Sequence, residues 1–202
     1  MRAPVCPSYL PAHGQADTLT VEVWVDGACV VGDPGVCDYT GPERVWSRSS
    51  RAHSTITRKG VDTSEVYGSF RVGRRATIET VRAAYSKVDA SVSSPSAGQF
   101  TRTVEIDNDA LNIRDEGGQE NESRLHLAPG VVVERRDGDN AVVVKTPRGA
   151  VRIEGKPIRI EAGRASREFG AVEPTTILVQ PFAAASDMSH IIWIAWWRIT
   201  RA

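Results

Sequence analysis

Apolar and polar residues alternate at period two along most of this chain. Over residues 18–25, Leu19, Val21, Val23 and Val25 fall on one face, and Thr18, Thr20, Glu22 and Trp24 on the other. That is the spacing of a half-buried strand. Val151 and Ile153 alternate with Arg152 and Glu154. Beyond a Gly155-Lys156-Pro157 turn, Ile158 and Ile160 alternate with Arg159 and Glu161. Two apolar runs flank Asp137-Gly138, which signals a hairpin, and TVEIDNDALNIRDE repeats the scheme around Asp107-Asn108-Asp109. Near the end, Trp193, Ala195, Trp197 and Ile199 share one side. Sustained helical periodicity is absent. ATIETVRAAYSKV fits a short helix or a strand, and its β-branched residues assign it as strand. SVSSPSAGQ, residues 91–99, reads as a loop by composition. Many short strands joined by turns predict an all-β protein: an antiparallel β-sandwich, two sheets packed face to face, with little or no helix. Leu19, Val21, Val23, Ile153 and Ile160 are expected in the core.

The chain has 202 residues, 41% hydrophobic and 25% charged, which is ordinary globular composition and enough for one sizeable core. Basic and acidic residues balance at 25 each. No electrostatic argument therefore favours nucleic acid or an anionic membrane as partner, although neutrality leaves room for a local basic groove. The N-terminal residues carry prolines and no apolar run, so they are not a secretory signal. The apolar tail HIIWIAWWRIT is too short to span a bilayer and carries Arg198. Cys6, Cys29 and Cys37 form no dense framework. Cys29 and Cys37 flank one turn, and buried free thiols are the plainer reading. No repeat and no interdomain linker is present.

The chemistry concentrates in HGQADTLTVEVWVDGACVVGDPG, residues 13–35. In extended backbone His13, Gln15 and Asp17 project to one side. Asp33 sits in a turn stiffened by Pro34, with Gly32 and Gly35 on either side, and His53 follows in a segment rich in hydroxyls and arginine. Two histidines and two aspartates so close together are plausible metal ligands, although isolated His and Asp at strand ends more often make structural hydrogen bonds. Arg71, Arg74 and Arg75 form either a basic strip for an acidic glycan or a solvated strand face. Trp46, Trp193, Trp196 and Trp197 either stack on sugars or pack in the core, and core is preferred for Trp193 and Trp197. His126 and His190 read as structural, and Tyr39 and Tyr67 as packing residues, no partner base being visible beside either. Asn121-Glu122-Ser123 fits a glycosylation sequon of a kind that arises often by chance.

The segment from Tyr9 to Ala76 resembles the C-terminal domain of heparinase II/III-type polysaccharide lyases. In that family a His-x-His-x-Asp segment leads into a strand; an Asp-x-Gly turn, a tyrosine and a His-Asn/Ser-Thr segment follow. A stretch like DTSEVYGSFRVGRR, residues 62–75, comes next. RTVEIDNDALNIRDE, LHLAPGVVVE and REFGAVEPTTILV fall in the family's order, so the resemblance runs from about Tyr9 to Val179. It implies a β-sandwich that faces a helical toroid domain across a cleft holding an acidic polysaccharide, cleaved at uronic acids by β-elimination. That chemistry needs an offset for the uronate charge, a base for the C5 proton and an acid for the leaving oxygen. The resemblance assigns base and acid mainly to the toroid. To the sandwich it assigns one cleft histidine, matched by His13, and a zinc-type metal site, matched by Asp33 and His53. The third ligand of that site is a histidine in the family and Gln15 here, and an amide oxygen is a poor zinc ligand beside imidazole.

The expected organisation is an irregular segment over residues 1–12, the end of a toroid or a linker, followed by the sandwich over 13–202. With twelve residues ahead of His13, the chain reads as the sandwich half of a lyase: a fragment, a split gene product or a domain without its partner, inactive alone. The alternative is a non-catalytic module that binds glycan or protein. Family members are bacterial and usually periplasmic or extracellular, which is the expected compartment.

Overall fold

A computed structural model describes residues 11–187 and 190–202, with the side chains of 186–191 outside the description. The period-two segments become antiparallel strands, and the paired segments assemble into two main sheets. The larger is built from β6 (Thr77–Ala83), β7 (Lys87–Ser94), β8 (Gly98–Asp107), β9 (Ala110–Gly117), β11 (Val132–Asp137), β12 (Ala141–Thr146), β13 (Gly149–Glu154) and β17 (His190–Arg201). Its order is β11-β12-β13-β17-β9-β8-β7-β6, with β16 (Ala183–Asp187) also paired to β17. The smaller sheet has the order β14-β15-β10-β3, from β3 (Ile56–Arg58), β10 (Asn121–His126), β14 (Arg159–Ala165) and β15 (Glu173–Pro181). Two short hairpins complete the strands: β1 (Val23–Val25) with β2 (Ala28–Val31), and β4 (Val66–Tyr67) with β5 (Arg71–Val72).

This is the antiparallel β-sandwich that the alternation predicts. Its main core takes residues from both sheets and from the β1–β2 hairpin: Val21, Val30, Ile113, Leu125, Val142, Ile153, Leu178 and Trp197 are all buried. A second cluster joins Leu19, Ile56, Val92, Phe100 and Phe182, with Trp193 packed against it. Of the expected core residues, Leu19, Val21, Val23 and Ile153 are buried and Ile160 is partly so. The hairpins at Asp137-Gly138 and Asp107–Asp109 form as β11–β12 and β8–β9.

Three local readings change, and one expected turn takes on a further role. Residues 91–99 are not a loop: β7 and β8 run through them in register from Ser94↔Gly98 to Lys87↔Glu105, leaving only residues 95–97 as a turn. The β-ladder overrides the small polar composition because Val92 and Phe100 face the second core. The 155–157 turn carries the chain from the larger sheet (β13) to the smaller (β14), closing the sandwich. The strand expected over 18–25 starts only at Val23, because Leu19 sits in a left-handed turn (φ 60°). An unexpected helix, α1 (Gly41–Arg48), follows the Asp33 turn. Pro42 suits its first turn. Its buried face is Arg44, Ser47 and Arg48, so no apolar stripe marked it in the sequence.

The centre of the sandwich is polar. Arg102 on β8 and Asp115 on β9 are both fully buried and paired bidentately, with both bonds at 2.7 Å. Arg102 also donates to the carbonyls of Leu19 (2.9 Å) and Ser54 (2.7 Å). Removing one partner of such a pair leaves an uncompensated charge in the interior. Asp115→Asn is therefore expected to cost about 3–5 kcal/mol of unfolding free energy, measured by urea titration. A cost comparable to that of an exposed pair such as Arg58–Glu120 would contradict this.

Candidate functional site

His13 does not lie on a strand. Residues 11–13 form a short 3-10 turn, and an irregular segment carries Gln15 and Asp17 onward. Pro11 fixes φ at the turn, so the alternating comb never becomes extended backbone. The segment is held instead by two buried arginines of α1. Arg44 donates to the carbonyls of Ala12 (2.7 Å) and Ser69 (3.2 Å). Arg48 donates to those of Gly14 (2.9 Å), Gly68 (2.9 Å) and Arg71 (3.1 Å). Ala16 N–H donates to the Arg48 carbonyl and Ser50 Oγ donates to the Ala16 carbonyl. Gln15 therefore lies between two anchored neighbours at the C-terminal end of α1. His13 stays exposed and packs edge-on to Tyr39, centroids 5.5 Å apart, while the Arg44 guanidinium lies 5.6 Å from the Tyr39 ring centre.

Asp33 and His53 meet. His53 is fully buried, and its Nδ1 lies 3.4 Å from Asp33 Oδ2. The other carboxylate oxygen accepts from Gly35 N–H at 2.9 Å, which shapes the turn. Gly35 has φ 70°, and a Cβ there would come within 2.0 Å of the Ser166 carbonyl oxygen, so only glycine fits. His53 Nε2 is 3.0 Å from the Ser47 carbonyl. A carbonyl only accepts, so the neutral ring carries its proton on Nε2 and turns the Nδ1 lone pair toward the carboxylate. Nδ1 is buried and makes no hydrogen bond. Two lone-pair atoms facing each other need a positive charge between them, either a proton or a cation. A tetrahedral zinc ion with bonds of roughly 2.0–2.2 Å sets two ligand atoms about 3.4 Å apart, so this pair fits two of a zinc ion's ligand positions. Among the described residues no three His, Cys, Asp or Glu side chains converge on one point. The third ligand that the resemblance implies, Gln15, is not among those residue types.

A second buried imidazole lies nearby, one read from sequence as merely structural. His126 Nε2 is 3.0 Å from the Arg51 carbonyl, and its Nδ1 is also buried without a hydrogen bond. Trp46 packs against it at 6.4 Å and is capped by the Arg164 guanidinium at 4.7 Å, so this indole is engaged within the fold. Nothing in the spacing of LHLAPG signals the approach of His126 to His53, since His126 ends β10 and His53 lies ahead of β3.

The arginine strip is mostly engaged. Arg74 forms a two-pronged pair with Glu65, whose carboxyl it holds down at about 2. Arg75 is half-buried and donates to the Gly73 carbonyl, while the Arg71 side chain is exposed. Tyr67 does have a partner: its hydrogen bond with Glu65 raises its pKa. The sequon asparagine Asn121 is buried on β10, where a glycan cannot be attached. Trp197 is fully buried, Trp193 packs on the second core, and Trp196 is partly exposed. Cys29 and Cys37 are free thiols. Cys6 and the side chain of His190 lie outside the described residues. Among the described residues no helix is long and apolar enough to cross a membrane.

The family model of the heparinase II/III-like C-terminal domain covers residues 2–194. The chain belongs to that family. Among solved structures it is similar to a mutant of the heparan sulfate lyase HepC from Pedobacter heparinus, at 18% identity and a TM-score of 0.70, over 100% of this chain and 33% of that one. It is also similar to a heparinase III, the BT4657 gene product, at 16% identity and a TM-score of 0.69, over 94% of this chain and 31% of that one. The chain thus spans about a third of the length of these structures. Among curated protein sequences none matches it.

Burial pushes the His126 imidazole down to about 3, helped by the Arg124 charge and opposed by the Arg51 carbonyl and Asp33. The unfolded chain takes up this proton below its ordinary value of about 6.5 and the folded chain does not. Stability must then fall as pH drops from about 6.5 toward 3, by roughly 1.4 kcal/mol per unit for this group. Unfolding free energies from urea titrations at pH 7 and pH 5 should accordingly differ more for the wild type than for His126→Gln, by about 2 kcal/mol. Equal pH slopes would show that His126 is not held neutral.

Proposed function

We propose that this chain is the C-terminal sandwich of a polysaccharide lyase that cleaves uronic-acid-containing polysaccharides by β-elimination, together with a helical toroid domain of the full-length protein. The observation that carries this reading is the match to the heparinase II/III-like C-terminal domain over residues 2–194, supported by the approach of Asp33 Oδ2 to the buried His53 Nδ1 at 3.4 Å. In the reaction His13 faces the acidic polysaccharide in the cleft, where its imidazole exchanges a proton with substrate or orients it, while the toroid supplies the general base. Tyr39 stacks on His13 and fixes the ring's orientation. Arg71, Arg74 and Arg75 offset substrate charge; Arg71 is the most available of the three, since Arg74 is shared with Glu65. Asp33 and His53, with Gln15 as a weak third ligand, hold a zinc-type ion, which when bound supplies a fixed positive charge beside the cleft segment. The sites of action are the periplasm or the extracellular space of a bacterium, where such polysaccharides are met. One observation favours the second reading, a non-catalytic glycan- or protein-binding module: Gln15 stands where the family has an imidazole.

The isolated chain should give no unsaturated-uronate absorbance with heparin, heparan sulfate or alginate. Adding the toroid should restore it, and His13→Ala in the restored protein should abolish it. Product formation by the chain alone would move the base into the sandwich.

The metal assignment has its own test. Two strong ligands and one weak one bind zinc weakly, because each lost strong donor removes coordination energy and loosens geometry. Gln15→His should tighten binding more than tenfold, over about 1.4 kcal/mol. Added zinc should then raise the melting temperature, since a ligand that binds only the folded state stabilises it. His53→Ala should cancel the gain. Tight stoichiometric zinc in the unmodified chain, seen by calorimetry, would mean that Gln15 is no handicap. No gain from Gln15→His would mean that the three residues do not converge.

A further inference from the structure

The β1–β2 hairpin lies across the ends of the larger sheet and leaves two recesses, one on each side of Trp24. The first, about 260 Å³, runs between Trp24 and Asp26 of the hairpin, Asn108 and Asp109 of the β8–β9 turn, and Thr200 and Arg201 at the end of β17. The second, about 330 Å³, runs between Glu22 and Trp24 and the β6–β7 turn, where Tyr85 and Lys87 stand. Trp24 and Ile106 line both recesses. Neither recess shares a residue with His13, Asp33, His53 or Tyr39.

Three residues far apart in sequence converge here with their apolar surfaces in solvent: Trp24 is 63% exposed, Ile106 57%, and Tyr85 completely. Single exposed apolar residues are ordinary, but three from separate segments bordering adjoining recesses mark a ligand groove. The polar rim is preset. Arg201 grips Asp26 with contacts of 2.7–3.2 Å and lies 3.5 Å from Asp109. These carboxylates, with Asn108 and Thr200, offer hydroxyl partners that need no reorganisation, and a few fixed polar groups beside an apolar platform are how small-ligand sites set orientation.

We propose that this groove binds a neutral pyranose chain, with Trp24 as the stacking platform for the apolar face of one ring, and Tyr85 for a second. The charge balance selects the ligand. Glu22, Asp26 and Asp109 outnumber Lys87 and Arg201 by one along the two recesses, with Arg201 and Asp26 paired to each other. A sulfated or uronate-rich chain meets net repulsion there, whereas neutral rings lose nothing by it. The site is therefore distinct from the cleft proposed above, and it does not depend on that reading.

Calorimetric titration of the full chain with cellotetraose, mannotetraose and chitotetraose tests it, with a heparin tetrasaccharide as the acidic comparison. At least one neutral oligosaccharide should bind. Trp24→Ala should weaken that binding at least tenfold and Tyr85→Ala less so, with melting temperatures unchanged because both rings are exposed. His13→Ala and His53→Ala should leave neutral binding intact, so a failure of the cleft assignment and a failure of this one are read separately. The inference is overturned if no neutral oligosaccharide binds, if Trp24→Ala binds as well as wild type, or if the heparin fragment binds in a Trp24-dependent way. It is equally overturned if light scattering shows a dimer that Trp24→Ala converts to monomer, since the patch would then be an interface between copies.

Discussion

The buried guanidinium of Arg102 is the constraint around which the molecule is arranged. Its pairing with Asp115 joins β8 to β9 inside the larger sheet. Its remaining donors reach the Leu19 and Ser54 carbonyls, in segments that lie outside that sheet. Ser123 Oγ, on β10 of the smaller sheet, accepts from Trp197 Nε1 at 2.7 Å and lies 3.4 Å from the Arg102 Nη2. One charged group thus ties both sheets to the residue that follows His53. A buried ion pair gives little net stability compared with packed apolar residues, but it fixes geometry, because each donor is satisfied in only one arrangement. The position of His53 is inherited from that arrangement.

The same use of arginine explains why neutrality and basic motifs were poor guides to function. Arg44, Arg48 and Arg102 are fully buried donors to backbone carbonyls, and Arg44 and Arg48 hold the N-terminal segment and the 67–71 loop against α1. A guanidinium suits this task because its planar fork satisfies several carbonyls at once. Much of the basic content near the site is therefore scaffold. At the surface Arg74 and Arg201 are paired with Glu65 and Asp26, so a count of arginines overstates the free positive charge offered to a substrate.

Where alternation faced a core on one side only, the sequence could be read directly: the β8–β9 and β11–β12 hairpins and the terminal strand through Trp197 all fall where period two puts them. Reading failed where polar groups do the packing. The buried face of α1 is Arg44, Ser47 and Arg48, which no hydrophobic template detects. The segment 13–17 alternates but is bound through its carbonyls, so its periodicity carries no strand. The motif order singled out Asp33 and His53 as a pair, and the two do meet. The approach of His126 was not legible, because it depends on how β10 meets the segment around Ser54, whose hydroxyl takes the His126 N–H at 2.9 Å. The Trp24 groove was equally hidden, since its parts are spread from residue 22 to residue 201 and meet only when the hairpin lies over the sheet.

Asp33 and His53 are each oriented by a backbone contact. One oxygen of Asp33 is engaged by Gly35 N–H, and the His53 ring is aimed by the Ser47 carbonyl. These are the outer contacts that orient metal ligands in general, and here they come from the turn and the helix end. Those elements are in turn fixed by Arg48 and by the close approach of Gly35 to Ser166. In a small zinc-dependent domain the ion organises the chain, and its loss unfolds it. In this sandwich the contacts that orient Asp33 and His53 belong to the fold itself. On the proposed metal reading, Gln15 in place of an imidazole lowers metal affinity, while the neighbouring carbonyls of Ala12 and Gly14 stay held by Arg44 and Arg48.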